Sequence, residues 1–158
     1  RLAKWDEFDL DQRLWTIPAE HMKRSRAHIV PLSEAALAVL VKADAMRLEG
    51  AEVVFPGMTG KAMSNMTLLK VMRDMQEPFH VHGFRSSFTD WAANEGFPNA
   101  VVEAALAHKT PDAVQAAYRR TTYLGTPDNP GARVKLMEAW GNYCAGTAGA
   151  NTPINEGG

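Results

Sequence analysis

Three short apolar or aromatic runs fall within the first 32 residues: Trp5 to Leu10, Leu14 to Pro18 and His28 to Leu32. The turn-forming pair Asp11-Gln12 separates the first two. Runs of this length bounded by turn residues read as three antiparallel strands. From Ser33 onward the apolar spacing becomes that of helices, so the sheet is confined to one end of the chain. The expected fold class is α+β and mainly α-helical, with a small three-stranded antiparallel sheet packed at one edge of a helical core.

The helical part divides at its caps and glycines. Ser33 ahead of Glu34-Ala35-Ala36-Leu37, with Leu40, Val41 and Leu48 in phase and Gly50 as the stop, predicts a helix at about 34–49. Val53-Val54-Phe55-Pro56 reads as a short buried segment and Gly57 to Gly60 as a turn. Ser64 caps a helix to about Met75 whose methionines read as core filler. From His82 to Gly96 the stripe Phe84, Phe88 and Trp91 predicts a helix, and Pro98 opens another carrying Val101, Val102, Ala105 and Leu106. Thr110-Pro111 starts a further helix over 111 to about 123, which leaves His108 in the break before it. A loop at 126–131 leads to a terminal helix with Val134, Leu136, Met137, Trp140 and Tyr143, and residues 145–158 read as a flexible tail.

Composition narrows the class. At 158 residues the chain suits one domain, and 46% hydrophobic with 22% charged residues is the balance of a chain that folds. No apolar run spans a membrane and the N-terminus lacks a signal-peptide core, so the chain reads as cytosolic. The lone Cys144 offers neither an internal disulfide nor a thiolate metal site. Seventeen basic against eighteen acidic residues give a net charge of -1, so any nucleic-acid contact has to come from local patches. The sharpest patch is Met22-Lys23-Arg24-Ser25-Arg26, on the connection between the second and third strands.

Chemistry gathers in the second half. His82-Gly83-Phe84-Arg85 puts an imidazole and a guanidinium on one helical turn, an arrangement that serves an anion but taken alone more often marks a structural pair. His108 and Tyr118 stand ten residues apart, about 15 Å along a continuous helix, so the break at Thr110-Pro111 is needed to fold them toward one site. Tyr118 shares a helix face with Val114, Ala117 and Thr121 and also fits a core position. Arg119 and Arg120 follow it, and the planar guanidinium fork matches phosphate oxygens.

Taken in order, His82-Gly83-Phe84-Arg85, Leu106-Ala107-His108-Lys109 and Ala117-Tyr118-Arg119-Arg120 resemble the signature of the tyrosine recombinases, in particular prophage integrases of the satellite-phage type. Trp5-Asp6-Glu7-Phe8-Asp9-Leu10, Leu14-Trp15-Thr16-Ile17-Pro18 and His28-Ile29-Val30-Pro31-Leu32-Ser33 resemble the sheet region of those catalytic domains, and the likeness covers residues 1 to about 143. The resemblance implies site-specific DNA recombination through a 3′-phosphotyrosine at Tyr118. Lys23 would be the general acid toward the leaving 5′ hydroxyl, Arg85 the clamp on the scissile phosphate, His82 an aid to proton transfer and His108 a donor to a phosphate oxygen. Arg24, Arg26, Lys109, Arg119 and Arg120 would bind DNA. Tyr123, about 140° round the helix from Tyr118, is the rival nucleophile.

No cofactor or metal is implied, because the nucleophile belongs to the protein and cations take the place of a metal's charge. The implied partners are double-stranded recombination sites, further integrase protomers in a tetrameric synapse, and accessory DNA-bending or directionality proteins, in the bacterial cytoplasm at the nucleoid. The same resemblance implies another arginine, followed closely by Gly-Glu, just before the Trp-Asp-Glu strand, and Arg1 does not fit that motif. Residues 1–144 would then be the C-terminal catalytic domain lacking its first part and inactive by itself. A non-catalytic helical DNA-binding module and a type IB topoisomerase-like enzyme are the competing readings.

Overall fold

The computed structural model of the chain describes residues 1–23, 25–108, 123–126 and 128–147. The fold is α+β and mainly helical. A meander of β1 (Phe8–Asp9), β2 (Leu14–Ile17) and β3 (His28–Pro31) forms the antiparallel sheet, in the order β1-β2-β3. Its register pairs Phe8 with Trp15, and Leu14 to Ile17 with Pro31 to His28. The Phe8 and Trp15 rings stack across the strands at 5.3 Å, and Trp15 Nε1–H donates to Glu7 Oε2 at 2.9 Å.

The first strand is shorter than the apolar run suggests. Trp5–Glu7 forms a 3₁₀ turn, because the Trp5 amide is drawn to the carbonyl of Glu52 and the Val54 amide to that of Ala3. The Val53–Phe55 segment thus lies against the N-terminus, with Val54 buried and Phe55 39% exposed, contrary to a fully buried segment.

Helix α1 (Glu34–Ala45) starts where Ser33 Oγ accepts the Ala36 amide, as its side chain suggests. It ends four residues before the expected limit of 49. Its last turn tightens through Met46 to Ala43 and Arg47 to Asp44, and Gly50 serves a separate turn at φ 75°. Helix α2 (Thr67–Asp74) begins later than a Ser64 cap requires, since Ser64 instead meets the Thr67 hydroxyl across a preceding turn. Of the methionines expected as core filler, Met66 and Met75 at its two caps are more than half exposed, and Met72 within it is partly buried.

Helices α3 (Gly83–Asn94), α4 (Asn99–Ala105) and α5 (Ala132–Cys144) build the second cluster. Phe88, Ala92, Val101, Val102 and Leu136 are its buried members, with Trp91, Phe97 and Trp140 packed against them. Full burial of a side chain such as Leu136 contributes about 1.5–3 kcal/mol. Phe84, expected on the same stripe, is about half exposed. The first cluster, Ala3, Leu32, Leu40, Ala43 and Val54, lies between the sheet and α1.

Helix α5 joins the two clusters. Gly141 sits where a side chain would strike Ser33, so only hydrogen lets α5 approach the start of α1 so closely. Within the expected loop at 126–131, Gly125–Thr126 (β4) and Asn129–Pro130 (β5) form a two-residue ladder. The expected helix over 111–123 and most of the expected tail lie outside the described residues, apart from helical Tyr123. Among the described residues no helix is long and apolar enough to cross a membrane.

Candidate active site

The ends of α3 and α4 supply the site. His82 is the N-cap residue of α3, exposed, and its carbonyl accepts the Arg85 amide. One turn later Arg85 projects toward the end of α4. There its Nη2 donates to the carbonyl of Leu106 at 2.9 Å and to Nε2 of His108 at 2.8 Å. Arg85 and His108, 23 residues apart, are therefore brought together. Both side chains stay open to solvent.

The end of α4 has a specific local cause. The His108 amide donates to the Glu103 carbonyl at 3.0 Å and the Ala107 amide to that of Ala104 at 3.4 Å, with Ala107 left-handed at φ 57°. This is a Schellman closure, in which the residue after the left-handed one swings back over the last turn. It returns the His108 ring to Glu103, whose Oε2 lies 2.7 Å from Nδ1.

The last carbonyls of a helix have no partner of their own and carry partial negative charge. Here side chains from other elements take them. Leu106 receives Arg85, and Ala105 receives Nε2–H of His28 on β3 at 3.0 Å. His28 is held below the ordinary imidazole value chiefly by burial and next by the charge of Arg133, with Arg85 adding to the effect. It therefore stays neutral and acts as a strut.

Arg133 on α5 is 3% exposed and reaches across to the Ile29 carbonyl of β3, while its Nε has no hydrogen-bond partner among the described residues. Burial lowers its pKa to about 10, which leaves the guanidinium charged at neutral pH. Arg85 in front and Arg133 behind thus surround His28 with positive charge. An anion held at Arg85 and His108 lies in the field of both guanidinium groups.

The remaining candidates make no hydrogen bond to this pair or lie outside the described residues. Lys23 and Arg26 are exposed on the connection between β2 and β3, and neither hydrogen-bonds Arg85 or His108. Arg24, Lys109, Tyr118, Arg119 and Arg120 lie outside the described residues. Among the described residues, no three His, Cys, Asp or Glu side chains gather to hold a metal ion.

Sequence reasoning missed Glu103, His28 and Arg133. The i to i+5 separation of Glu103 and His108 is no helix-neighbour spacing, and only the left-handed Ala107 makes them adjacent. His28 read as a strand residue and Arg133 as an ordinary helix cation; no local pattern marks their contacts, made 77 and 104 residues away.

The family model described as phage integrase family matches residues 2–124. A prophage integrase of Escherichia coli, IntA, is 38% identical over 126 residues, covering 77% of this chain and 30% of that protein. The integrase of Enterobacteria phage P4 is 31% identical over 162 residues, covering 90% of this chain and 36% of its own length. The integrase of Shigella phage Sf6 is 27% identical over 147 residues, covering 90% and 37%. The chain spans about a third of the length of these relatives. No solved structure matches it.

Proposed function

The chain belongs to the phage integrase family, and from that premise we propose that residues 1–144 are part of the catalytic domain of a site-specific DNA recombinase. The observation that carries this reading is the pairing of Arg85 with His108 from separate helices, exposed in front and backed by buried Arg133. A guanidinium and an imidazole brought together beside a standing positive charge suit a phosphodiester, whose non-bridging oxygens gain negative charge as it is attacked.

In the proposed step the Tyr118 oxygen forms a bond to phosphorus as the bond to the 5′ oxygen breaks. A phenol near pKa 10 attacks poorly at pH 7, so its proton leaves with the help of His82 and the cationic site. Lys23 gives a proton to the departing 5′ hydroxyl. Arg85 and His108 hold the non-bridging oxygens, and each such donor is worth about 10²- to 10³-fold in rate. Phosphodiester energy is kept in the phosphotyrosine, so rejoining to a partner strand needs no nucleotide. Arg24, Arg26, Lys109, Arg119 and Arg120 contact the DNA backbone. Partner protomers complete a tetrameric synapse, with accessory DNA-bending proteins, at the bacterial nucleoid.

Incubation of the full-length protein with a nicked suicide duplex of its recombination site tests this directly. A covalent protein–DNA band is expected from the wild type and from Tyr123→Phe, and none from Tyr118→Phe. Persistence of the band in Tyr118→Phe overturns the assignment of the nucleophile. A wild type that binds the duplex and never forms the band is a DNA-binding module instead.

A further inference from the structure

We propose that Glu103 is a positioning residue that governs the protonation of His108, so that this ring meets a phosphate oxygen as an imidazolium. The inference rests on the reading of His108 as a phosphate donor. It follows from which atoms can donate. A guanidinium has five N–H groups and no lone pair, so Nε2 of His108, 2.8 Å from Arg85 Nη2, has to accept. The ring's proton then sits on Nδ1 and points at Glu103 Oε2, 2.7 Å away, the short distance of a charge-assisted bond. A second bond joins the same two residues through the backbone, His108 N–H to Glu103 C=O at 3.0 Å. The pair is therefore held by the helix end itself, and not by the side chains alone.

An arriving phosphate competes for Arg85 and releases Nε2. To donate to that phosphate, Nε2 needs a hydrogen, and Nδ1 cannot give up its own while Glu103 holds it. One proton therefore comes from solvent, one N–H bond forms at Nε2, and the proton returns to solvent when the phosphate leaves. Among the described residues, the charged groups that face the ring are Glu103 on α4 and Arg85 on α3. Behind the same helix end lie His28 on β3 and Arg133 on α5. Glu103 is the one acid in that set, and it is the group able to stabilise the imidazolium against two guanidinium charges.

The test separates charge from shape. Glu103→Gln keeps an acceptor for Nδ1–H and removes the charge, at a position already about one-third exposed. In the 158-residue chain, NMR titration of the His108 ring should show proton affinity falling about threefold or more in Glu103→Gln. In the full-length protein, the alkaline limb of strand cleavage against pH should move to lower pH in Glu103→Gln. Glu103→Ala should cut the cleavage rate about 10- to 100-fold, and in a His108→Ala background neither change should cost anything more. An unchanged ring titration in Glu103→Gln, or an equal loss from Glu103→Ala with and without His108, overturns the proposal. The titration does not depend on DNA chemistry. A shifted midpoint alongside a wild type that forms no covalent band would sink the recombinase reading while leaving the Glu103–His108 coupling in place.

Discussion

Helices α3 and α4 end in the same way and for different purposes. Each closes with a residue in the left-handed region followed by a residue whose amide reaches back five positions: Gly96 and Phe97 for α3, Ala107 and His108 for α4. After α3 the returning side chain is Phe97, which joins the aromatic cluster around Trp91. After α4 it is His108, which joins Arg85 and Glu103. The core-facing end uses glycine, for which the conformation is free. The site-facing end uses alanine, for which it costs about 1–2 kcal/mol. What holds Ala107 there is tertiary: the carbonyls of Ala105 and Leu106 are taken by His28 and Arg85. One end is kept by burial, the other by polar donors from neighbouring elements, the neutral His28 and the cationic Arg85, so the two should answer differently to charge.

The largest difference is expected from Arg85→Ala. It removes a phosphate donor and a cap of α4 together, and strand cleavage should fall about 10²- to 10³-fold. Amide exchange should quicken at 104–108 and stay unchanged at 92–97. Arg85→Lys keeps the charge without the fork, cannot serve Leu106 and a phosphate at once, and should recover little of the rate. Equal exchange at both ends in Arg85→Ala would break the contrast.

Exchanging the two left-handed residues sharpens it. Gly96→Ala meets nothing within 4 Å, so its cost is backbone strain alone, about 1–2 kcal/mol in a denaturant titration. Ala107→Gly should stabilise by about 0.5–1 kcal/mol, the relief being partly offset by a more flexible unfolded chain. Identical signs for the two variants would show that the helix ends are not equivalent in backbone terms.

Acid supplies the smallest effect, because the bond to Ala105 opposes burial and the Arg133 charge at His28. The folded state lowers the His28 pKa, so below the unfolded value near 6.5 the unfolded chain binds more protons than the folded one. Stability contributed by the neutral ring is complete above that pH and is lost as pH falls through it toward the folded value. The denaturation midpoint should therefore drop between pH 7 and pH 5, and less so in His28→Gln, which keeps a donor for Ala105 without titrating. Equal drops would remove His28 as the acid-sensitive tether.

These contrasts also mark where sequence was informative. A shared place for Arg85 and His108 comes only from the family resemblance, whereas the sheet, the Ser33 cap and the glycine after α3 follow from spacing and side-chain type. The 3₁₀ turn at Trp5–Glu7 did not, because a partner at Glu52 competes for its backbone. The exposure of Met66 and Met75 did not, since an apolar residue at helical spacing does not state what will cover it. Glu103 was hidden because a left-handed alanine leaves no trace in a pattern, whereas a glycine there would have suggested the turn.

The seam along α5 has a consequence for how the chain is made. Arg133 bonds Ile29, Glu138 accepts the Glu34 amide, Gly141 lies against Ser33, and Leu136 fills the second cluster. Every one of these contacts with the first 34 residues spans about a hundred positions. While the ribosome is still adding residues before 132, the sheet and α1 have no lid and the charged groups behind the site have no buried arginine. The sheet and α1 therefore cannot finish packing piecemeal from the beginning of the chain; they wait for α5, and a chain interrupted before it leaves a sticky, uncovered edge rather than a small working unit.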